Sequence, residues 1–157
     1  MNDLCFFDGN QAFSCRVAGI LVRGDQILMQ CNGEGKKYMF PGGHVRYGEN
    51  SAEALAREFR EESHMEVQIE RFLGWKEFFF EWDHLNIHQI CAFYQISVQE
   101  TMDDAVVTHN WIHDEVSHYR HDSKLAWVNR KELFAQTVYP PQMLGSLHGD
   151  MNNGLLI

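Results

Sequence analysis

Apolar residues in the first part of the chain come in short runs that turn signals separate, which is the pattern of β-strands. These runs predict three strands, at Phe13–Val22, Gln26–Gln30 and Tyr38–Phe40. The pair Gly24-Asp25 predicts the turn between the first two strands. Asn32–Lys37 is predicted to be a loop, and Pro41-Gly42-Gly43 is expected to stop the third strand.

The period of the apolar residues then changes to that of a helix. Apolar positions recur at helical spacing along one face, at Ala52, Leu55, Ala56 and Phe59. Asn50 is a suitable N-cap, and Glu53 three residues later completes a capping-box pair. The pattern therefore predicts a helix from about Ser51 to Ser63.

The second half of the chain is mainly strands. They are predicted at Glu66–Phe80, Ile87–Val98 and Leu125–Val128, with Trp82–Asn86 as a hairpin connection. The polar segment Glu100–Asp122 predicts a loop with a short strand near Trp111. Asn129 is expected to cap a helix from Arg130 to about Gln136, and Pro140-Pro141 to open a final helical stretch. This order predicts the α+β class, with a mixed β-sheet flanked by helices.

Length and charge narrow the function classes. The 157 residues predict a single domain over 1–157, and no apolar run is long enough to span a bilayer. The segment Met1–Gln11 has no basic residue before its apolar stretch, so no secretory signal is expected and the protein is predicted to be cytoplasmic. A net charge of −9 argues against a nucleic-acid polymer as partner.

Four cysteines occur without a C-x-x-C pair, at Cys5, Cys15, Cys31 and Cys91. Their wide spacing in a chain able to form a core favours buried thiols over disulfides.

Three glutamates of the predicted helix carry the candidate chemistry. Glu58 and Glu62 are four residues apart and Glu61 is three residues from Glu58, so all three share one stripe of the helix surface. Such a cluster is either solvated or relieved by a cation, and hard oxygen ligands suit Mg²⁺ or Mn²⁺. The plain alternative is a solvated acidic face with Arg57–Glu61 as a surface pair. Arg57 can also hold Glu49 and thereby orient the loop before the helix.

The segment Gly43–Met65 resembles the Nudix box, G-x5-E-x7-R-E-U-x-E-E-x-G-U, where U is a bulky apolar residue. Every defined position matches except that His64 stands where the motif has glycine. That glycine suits a left-handed helix cap, and histidine tolerates this conformation at some cost.

The resemblance implies an α/β/α sandwich and hydrolysis of a nucleoside diphosphate linked to another moiety, with a small nucleotide as substrate. It also implies a divalent metal, Mg²⁺ or Mn²⁺. The implied metal ligands are Gly43, Glu58, Glu61 and Glu62. The implied catalytic set is Glu58 and Glu61 with Arg57 and Glu49 as orienting residues. A homodimer is also expected. The alternative is a Nudix-fold module that senses a nucleotide without cleaving it.

Several side chains outside the helix are further candidates. Arg46 and Tyr47 in the loop, and Phe79 in the run Phe78–Phe80, are predicted to bind substrate. Strand alternation places Phe79 opposite Phe78 and Phe80. A general base outside the box is expected among the acidic residues Glu100, Asp103, Asp104, Asp114 and Glu115. The histidines His109, His113, His118 and His121 are interpreted as loop residues rather than a second metal site.

Overall fold

The computed structural model describes residues 2–32, 37–98, 110–111 and 123–143, arranged as strands and two helices. In chain order, the elements are β1 (Cys5–Asp8), β2 (Gln11–Ile20), β3 (Val22–Arg23), β4 (Gln26–Asn32), β5 (Lys37–Met39), β6 (Gly42–His44), α1 (Ser51–Ser63), β7 (Val67–Trp82), β8 (Leu85–Val98), β9 (Asn110–Trp111), β10 (Ser123–Asn129), α2 (Arg130–Leu133) and β11 (Thr137–Tyr139).

The strands form two sheets, and both are mixed. In the first sheet the order is β1-β2-β8-β7, with β6 also paired to β2; β2 and β8 run parallel and the other pairs are antiparallel. In the second sheet the order is β11-β5-β4-β10-β9, with β3 on β4, and only β11 and β5 run parallel. The predicted α+β class is confirmed, with two mixed sheets among the described residues where one was expected.

The first sheet is covered on both faces, as the alternation of β8 shows. Its residues Ala92 and Ile96 pack in one cluster with Leu55 and Phe59 of α1. The intervening Phe93 packs on the other face, in a cluster that includes residues of the second sheet. Because side chains alternate along a strand, one strand supplies both clusters. The sheet thereby positions α1.

Both predicted ends of α1 are confirmed. The Asn50 side chain accepts a hydrogen bond from the Glu53 N–H at 3.0 Å, and the Glu53 carboxylate accepts one from the Asn50 N–H at 2.9 Å. At the other end His64 is left-handed, with φ 56° and ψ 24°, and its N–H donates to the Arg60 carbonyl at 3.2 Å. Histidine therefore takes the backbone conformation that the motif's glycine would take.

Several predictions about the strands and the C-terminal part were wrong. The third strand does end before Pro41, as predicted, but Gly42–His44 then forms an unpredicted strand, β6, which pairs with β2. Strands β1 and β11 were not predicted. The partner of β11, β5, is distant in sequence, whereas β1 forms a tight hairpin with β2, and the turn at Gly9-Asn10 was the available signal. The helix after Asn129 ends at Leu133 rather than Gln136, because the chain becomes extended to pair with β5. The final helical stretch is not contradicted: Pro140 and Pro141 lead through a turn to a helical residue at Met143, and the chain beyond Met143 lies outside the described residues.

All four cysteines are free thiols, as predicted from their spacing. Cys31 and Cys91 are buried, whereas Cys5 and Cys15 are only partly buried. Among the described residues, no helix is both long enough and apolar enough to cross a membrane.

Replacing His64 by glycine is expected to raise the free energy of unfolding by about 0.5–1 kcal/mol, because glycine adopts the left-handed conformation without steric cost. The His64 side chain is exposed, so its loss removes little packing. The measurement is urea unfolding followed by circular dichroism. His64→Ala is the matched control and gains no stability, because alanine keeps the steric cost. Equal stability of His64→Gly and wild type would contradict the steric cost assigned to the left-handed conformation of His64.

Candidate active site

Helix α1 lies against the backbone of β6, with almost no space between them. The Glu58 side chain is buried, and a Cβ added at Gly43 would lie 2.2 Å from the Glu58 carboxyl carbon. Gly42 is equally constrained, since a Cβ there would lie 2.0 Å from the Val17 carbonyl oxygen. Gly43 is therefore required for the carboxylate to sit directly on the β6 backbone, and Gly42 for the close approach of β6 to β2.

Arg57 joins the loop, the helix and β6 through one guanidinium. It donates two hydrogen bonds to Glu49, from Nε to Oε2 at 2.9 Å and from Nη2 to Oε1 at 2.6 Å. Nη1 donates to Glu58 at 2.6 Å and to Glu61 at 3.2 Å, and Nη2 donates to the His44 carbonyl at 2.9 Å. The predicted contact with Glu49 is present. The Arg57–Glu61 pair, which was expected if the helix face were simply solvated, is also present, as one part of this larger network.

Arg46 binds the outer carboxylate of the cluster. Its two terminal nitrogens donate to the two oxygens of Glu61 at 3.2 and 3.3 Å, and its Nε donates to Asp3 at 3.4 Å. Its backbone N–H donates to Glu49 at 2.7 Å. Arg46 was predicted to face substrate, and in this structure it is held between Glu61 and the N-terminal segment.

The pKa values follow from this network. Burial raises the pKa of the Glu58 carboxyl, and the hydrogen bond from Arg57 opposes the rise without cancelling it. Burial alone would raise the pKa of Glu49 as well, but the hydrogen bonds from Arg57 and the Arg46 N–H place it below its usual value. Burial lowers the pKa of Arg57, and its hydrogen bonds to Glu49 and Glu58 raise it by more.

Whether the cluster fits a divalent cation depends on its donors. Among the residues that the structure describes, no group of three His, Cys, Asp or Glu is arranged as a metal site. Glu58 and Glu61 accept hydrogen bonds from arginines instead. The donor set is nonetheless oxygen only, with three carboxylates and the Gly43 carbonyl, and such a set suits a hard cation. The absence of a side chain at Gly43 lets the Glu58 carboxylate approach the β6 backbone. By donor chemistry, the residues fit Mg²⁺ or Mn²⁺.

Two contributors to the site were missed in the sequence. Arg16 of β2 donates from Nη2 to the Gly42 carbonyl at 3.2 Å, and its charge acts to lower the pKa of Glu58. A charged residue inside the apolar run Phe13–Val22 was the available signal. Asp3 lies within 4 Å of both Arg46 and His44, and no local pattern marked it.

Other predicted residues do not join this cluster. Tyr47 is 53% exposed and makes none of the arginine–glutamate contacts described above. Phe79 is 62% exposed and faces away from buried Phe78, as alternation predicted, but it contacts His88 rather than α1. The five acidic base candidates and the four loop histidines lie outside the described residues.

A search against protein-family models matches the NUDIX domain over residues 14–145. The chain belongs to the Nudix family. Members of this family are hydrolases that act on phosphoric anhydride bonds, and they generally use divalent metal ions. No match was found among the curated proteins.

Solved structures share the fold at low sequence identity. A NUDIX hydrolase from Nitrosomonas europaea is 19% identical with a TM-score of 0.60, covering 90% of each chain. The MutT protein from Bacillus halodurans is 17% identical with a TM-score of 0.59, covering 87% of this chain and 84% of that one. The E. coli ORF135 protein is 21% identical with a TM-score of 0.53, covering 89% of each chain. At these identities the likeness shows the fold.

Arg57→Ala is expected to lower the free energy of unfolding by about 2–4 kcal/mol, because it leaves the partly buried Glu49 and Glu58 carboxylates without their counter-charge. The measurement is urea unfolding near neutral pH. Arg60→Ala is the matched control on the same helix. Arg60 forms an exposed pair with Glu66, so its loss is expected to cost at most about 0.5 kcal/mol.

The difference between wild type and Arg57→Ala is expected to shrink in acid. The folded-state pKa of Glu49 lies below its ordinary 4.5, so its stabilising contribution is present above that value and lost as pH falls through the folded pKa. A difference that grows in acid would contradict this assignment.

Proposed function

We propose that the protein is an Mg²⁺- or Mn²⁺-dependent pyrophosphohydrolase that cleaves a nucleoside diphosphate linked to another moiety. The observation that carries this proposal is the set of α1 carboxylates that Arg57 holds against the glycine backbone of β6. A surface helix has no need to bury a carboxylate such as Glu58, because burial penalises its charge. Retaining it there supports a role in binding a cation.

In the proposed site, Glu58, Glu61, Glu62 and the Gly43 carbonyl hold the metal. When bound, the metal would neutralise phosphate charge and lower the pKa of water. Arg57 and Glu49 are positioning residues, since they touch the carboxylates and the loop. Glu61 is 47% exposed in its side chain, which supports a second role for it in accepting the proton of attacking water.

Glu61 would have to exchange its contacts with Arg46 and Arg57 to serve as a ligand. Arg46 would then be available to the negative phosphates of the substrate, which supports the prediction that it binds substrate. Tyr47, next to Arg46 and exposed, is proposed to contact the same ligand.

A small nucleotide is the proposed substrate, either a nucleoside triphosphate or a small nucleotide derivative. Proteins of similar fold include one described as a UDP-X diphosphatase and one described as an ADP-ribose pyrophosphatase, which supports a substrate of the nucleoside diphosphate class. The net charge of −9 disfavours a nucleic-acid polymer. We also propose a homodimer, which light scattering would test directly.

The test is release of phosphate or pyrophosphate from a panel of nucleoside triphosphates, nucleotide sugars and dinucleotides, with Mg²⁺, with Mn²⁺ and with EDTA. Cleavage of at least one compound is expected with metal and none with EDTA. Glu62→Gln is expected to lower kcat/KM by about 100-fold or more, because it removes a charged metal ligand.

Glu66→Gln is the matched control. It neutralises a carboxylate just beyond α1 that pairs with exposed Arg60, so activity near wild type is expected. Cleavage that persists in EDTA, or a Glu62→Gln variant as active as wild type, would refute the metal mechanism. Binding of nucleotides without cleavage of any of them would favour a sensor instead.

A further inference from the structure

One face of the first sheet carries a row of aromatic side chains across four strands. Phe6 of β1, Phe13 of β2, His88 of β8 and Phe79 of β7 are successive register partners. The Phe6 and Phe13 rings stack at 6.3 Å, and the Phe79 and His88 rings stack at 4.4 Å. Phe13 and His88 meet edge to face at 5.4 Å. The row is therefore one continuous aromatic surface.

The outer members of this aromatic row are exposed. Phe6 is 51% and Phe79 is 62% exposed, while Phe13 between them is half-buried. His88 is fixed by a hydrogen bond between its Nε2 and the Glu77 carboxylate at 2.6 Å. Exposed aromatic rings in fixed positions favour the binding of a flat ligand, because little side-chain freedom remains to be lost.

A polar row borders the aromatic row at the end of the sheet. Asp8, Gln11, Asn86 and Glu81 are again register partners across the same four strands. Each lies two residues from its aromatic neighbour, so both rows share one face. All eight side chains line one open cavity of about 700 Å³. The cavity thus combines an aromatic surface with two carboxylates and two amides.

Charge decides which ligand suits this cavity. No lysine or arginine is among its lining residues in the part of the chain that the structure describes. A phosphate would meet Asp8 and Glu81 without a counter-charge, whereas hydroxyl and amino groups can donate hydrogen bonds to these carboxylates. A flat heterocycle with ribose hydroxyls has the complementary chemistry.

The cavity is separate from the carboxylate cluster of α1. Phe13 precedes Val17, the partner of Gly43, by four residues on β2. Four residues of extended strand span about 13 Å, and Phe79 lies two further strands away. Phe79 was predicted from the sequence to bind the substrate. Because of this separation, Phe79 and Arg46 would contact different chemical groups.

We propose that this face is a nucleoside-binding site, in which the base stacks on Phe79 beside His88 and the ribose hydroxyls bond to Glu81 and Asn86. The site does not depend on the proposed hydrolysis, because it uses none of the α1 glutamates. It would take a free nucleoside or the nucleoside part of a larger molecule whose phosphates point away from Glu81.

The test is calorimetric titration of the full chain with adenosine and, separately, with AMP, in EDTA so that hydrolysis is silent. Saturable binding of adenosine is expected, with weaker binding of AMP. Phe79→Ala is expected to raise the Kd for adenosine about fivefold or more, the usual effect of removing one stacking ring. Glu62→Gln is expected to leave this Kd unchanged.

Phe72→Ala is the matched control, because Phe72 is an aromatic residue of the same strand, 48% exposed, that does not line the cavity. Its Kd for adenosine should equal that of wild type. Glu81→Gln reports on the polar row. By removing one repelling charge, it is expected to improve AMP binding relative to adenosine about two- to fivefold.

Three results would overturn the proposal: no saturable binding of adenosine, equal binding by Phe79→Ala and wild type, or loss of adenosine binding in Glu62→Gln. The last result would place the nucleoside at the α1 cluster. Circular dichroism of each variant verifies that it is folded. Activity in the metal-dependent assay is a separate readout. Absence of adenosine binding would therefore leave the proposed hydrolysis untouched, and absence of hydrolysis would leave the proposed nucleoside site untouched.

Discussion

The guanidinium of Arg57 is the contact on which the candidate site depends. It binds Glu49 in the loop, Glu58 and Glu61 on α1, and the His44 carbonyl at the end of β6. A planar group with five donors can join so many acceptors in one plane, and an ammonium group cannot. Because the loop, the helix and the sheet all meet at this side chain, its position sets the position of the carboxylates.

The same network explains how a chain with a net charge of −9 can act on phosphates. Arg57 and Arg46 offset the repulsion within the glutamate cluster, and Arg16 adds positive charge beneath it. Burial of Glu58 against Gly43 raises its pKa, so this carboxylate gains most from a cation that replaces lost water. In the proposed mechanism, the glutamates would be available to a metal and Arg46 to phosphate once the contacts between the arginines and Glu61 are exchanged.

The first sheet divides its face between two chemistries. Near Val17 it supports α1 and the charged cluster, and near Phe13 it carries the aromatic row, beyond the reach of the helix. The parallel pairing of β2 with β8 aligns Phe13 with His88, and the β7–β8 hairpin adds Phe79. One sheet therefore presents a charged cluster, proposed to bind a cation and phosphate, and, separately, an aromatic surface with no basic side chain among the described residues that line it.

The sequence by itself determined α1 completely, from the Asn50 cap to the left-handed His64, because capping and helical periodicity depend on residues a few positions apart. It also indicated the Arg57–Glu49 contact, since the motif places Arg57 on this helix and Glu49 in the loop just before it. Only the tertiary structure decided that β6 is a strand, that Asp3 reaches Arg46, and that four distant aromatic residues form one row. These depend on strand pairing between segments far apart in the chain, where register is set by the packing of the whole sheet.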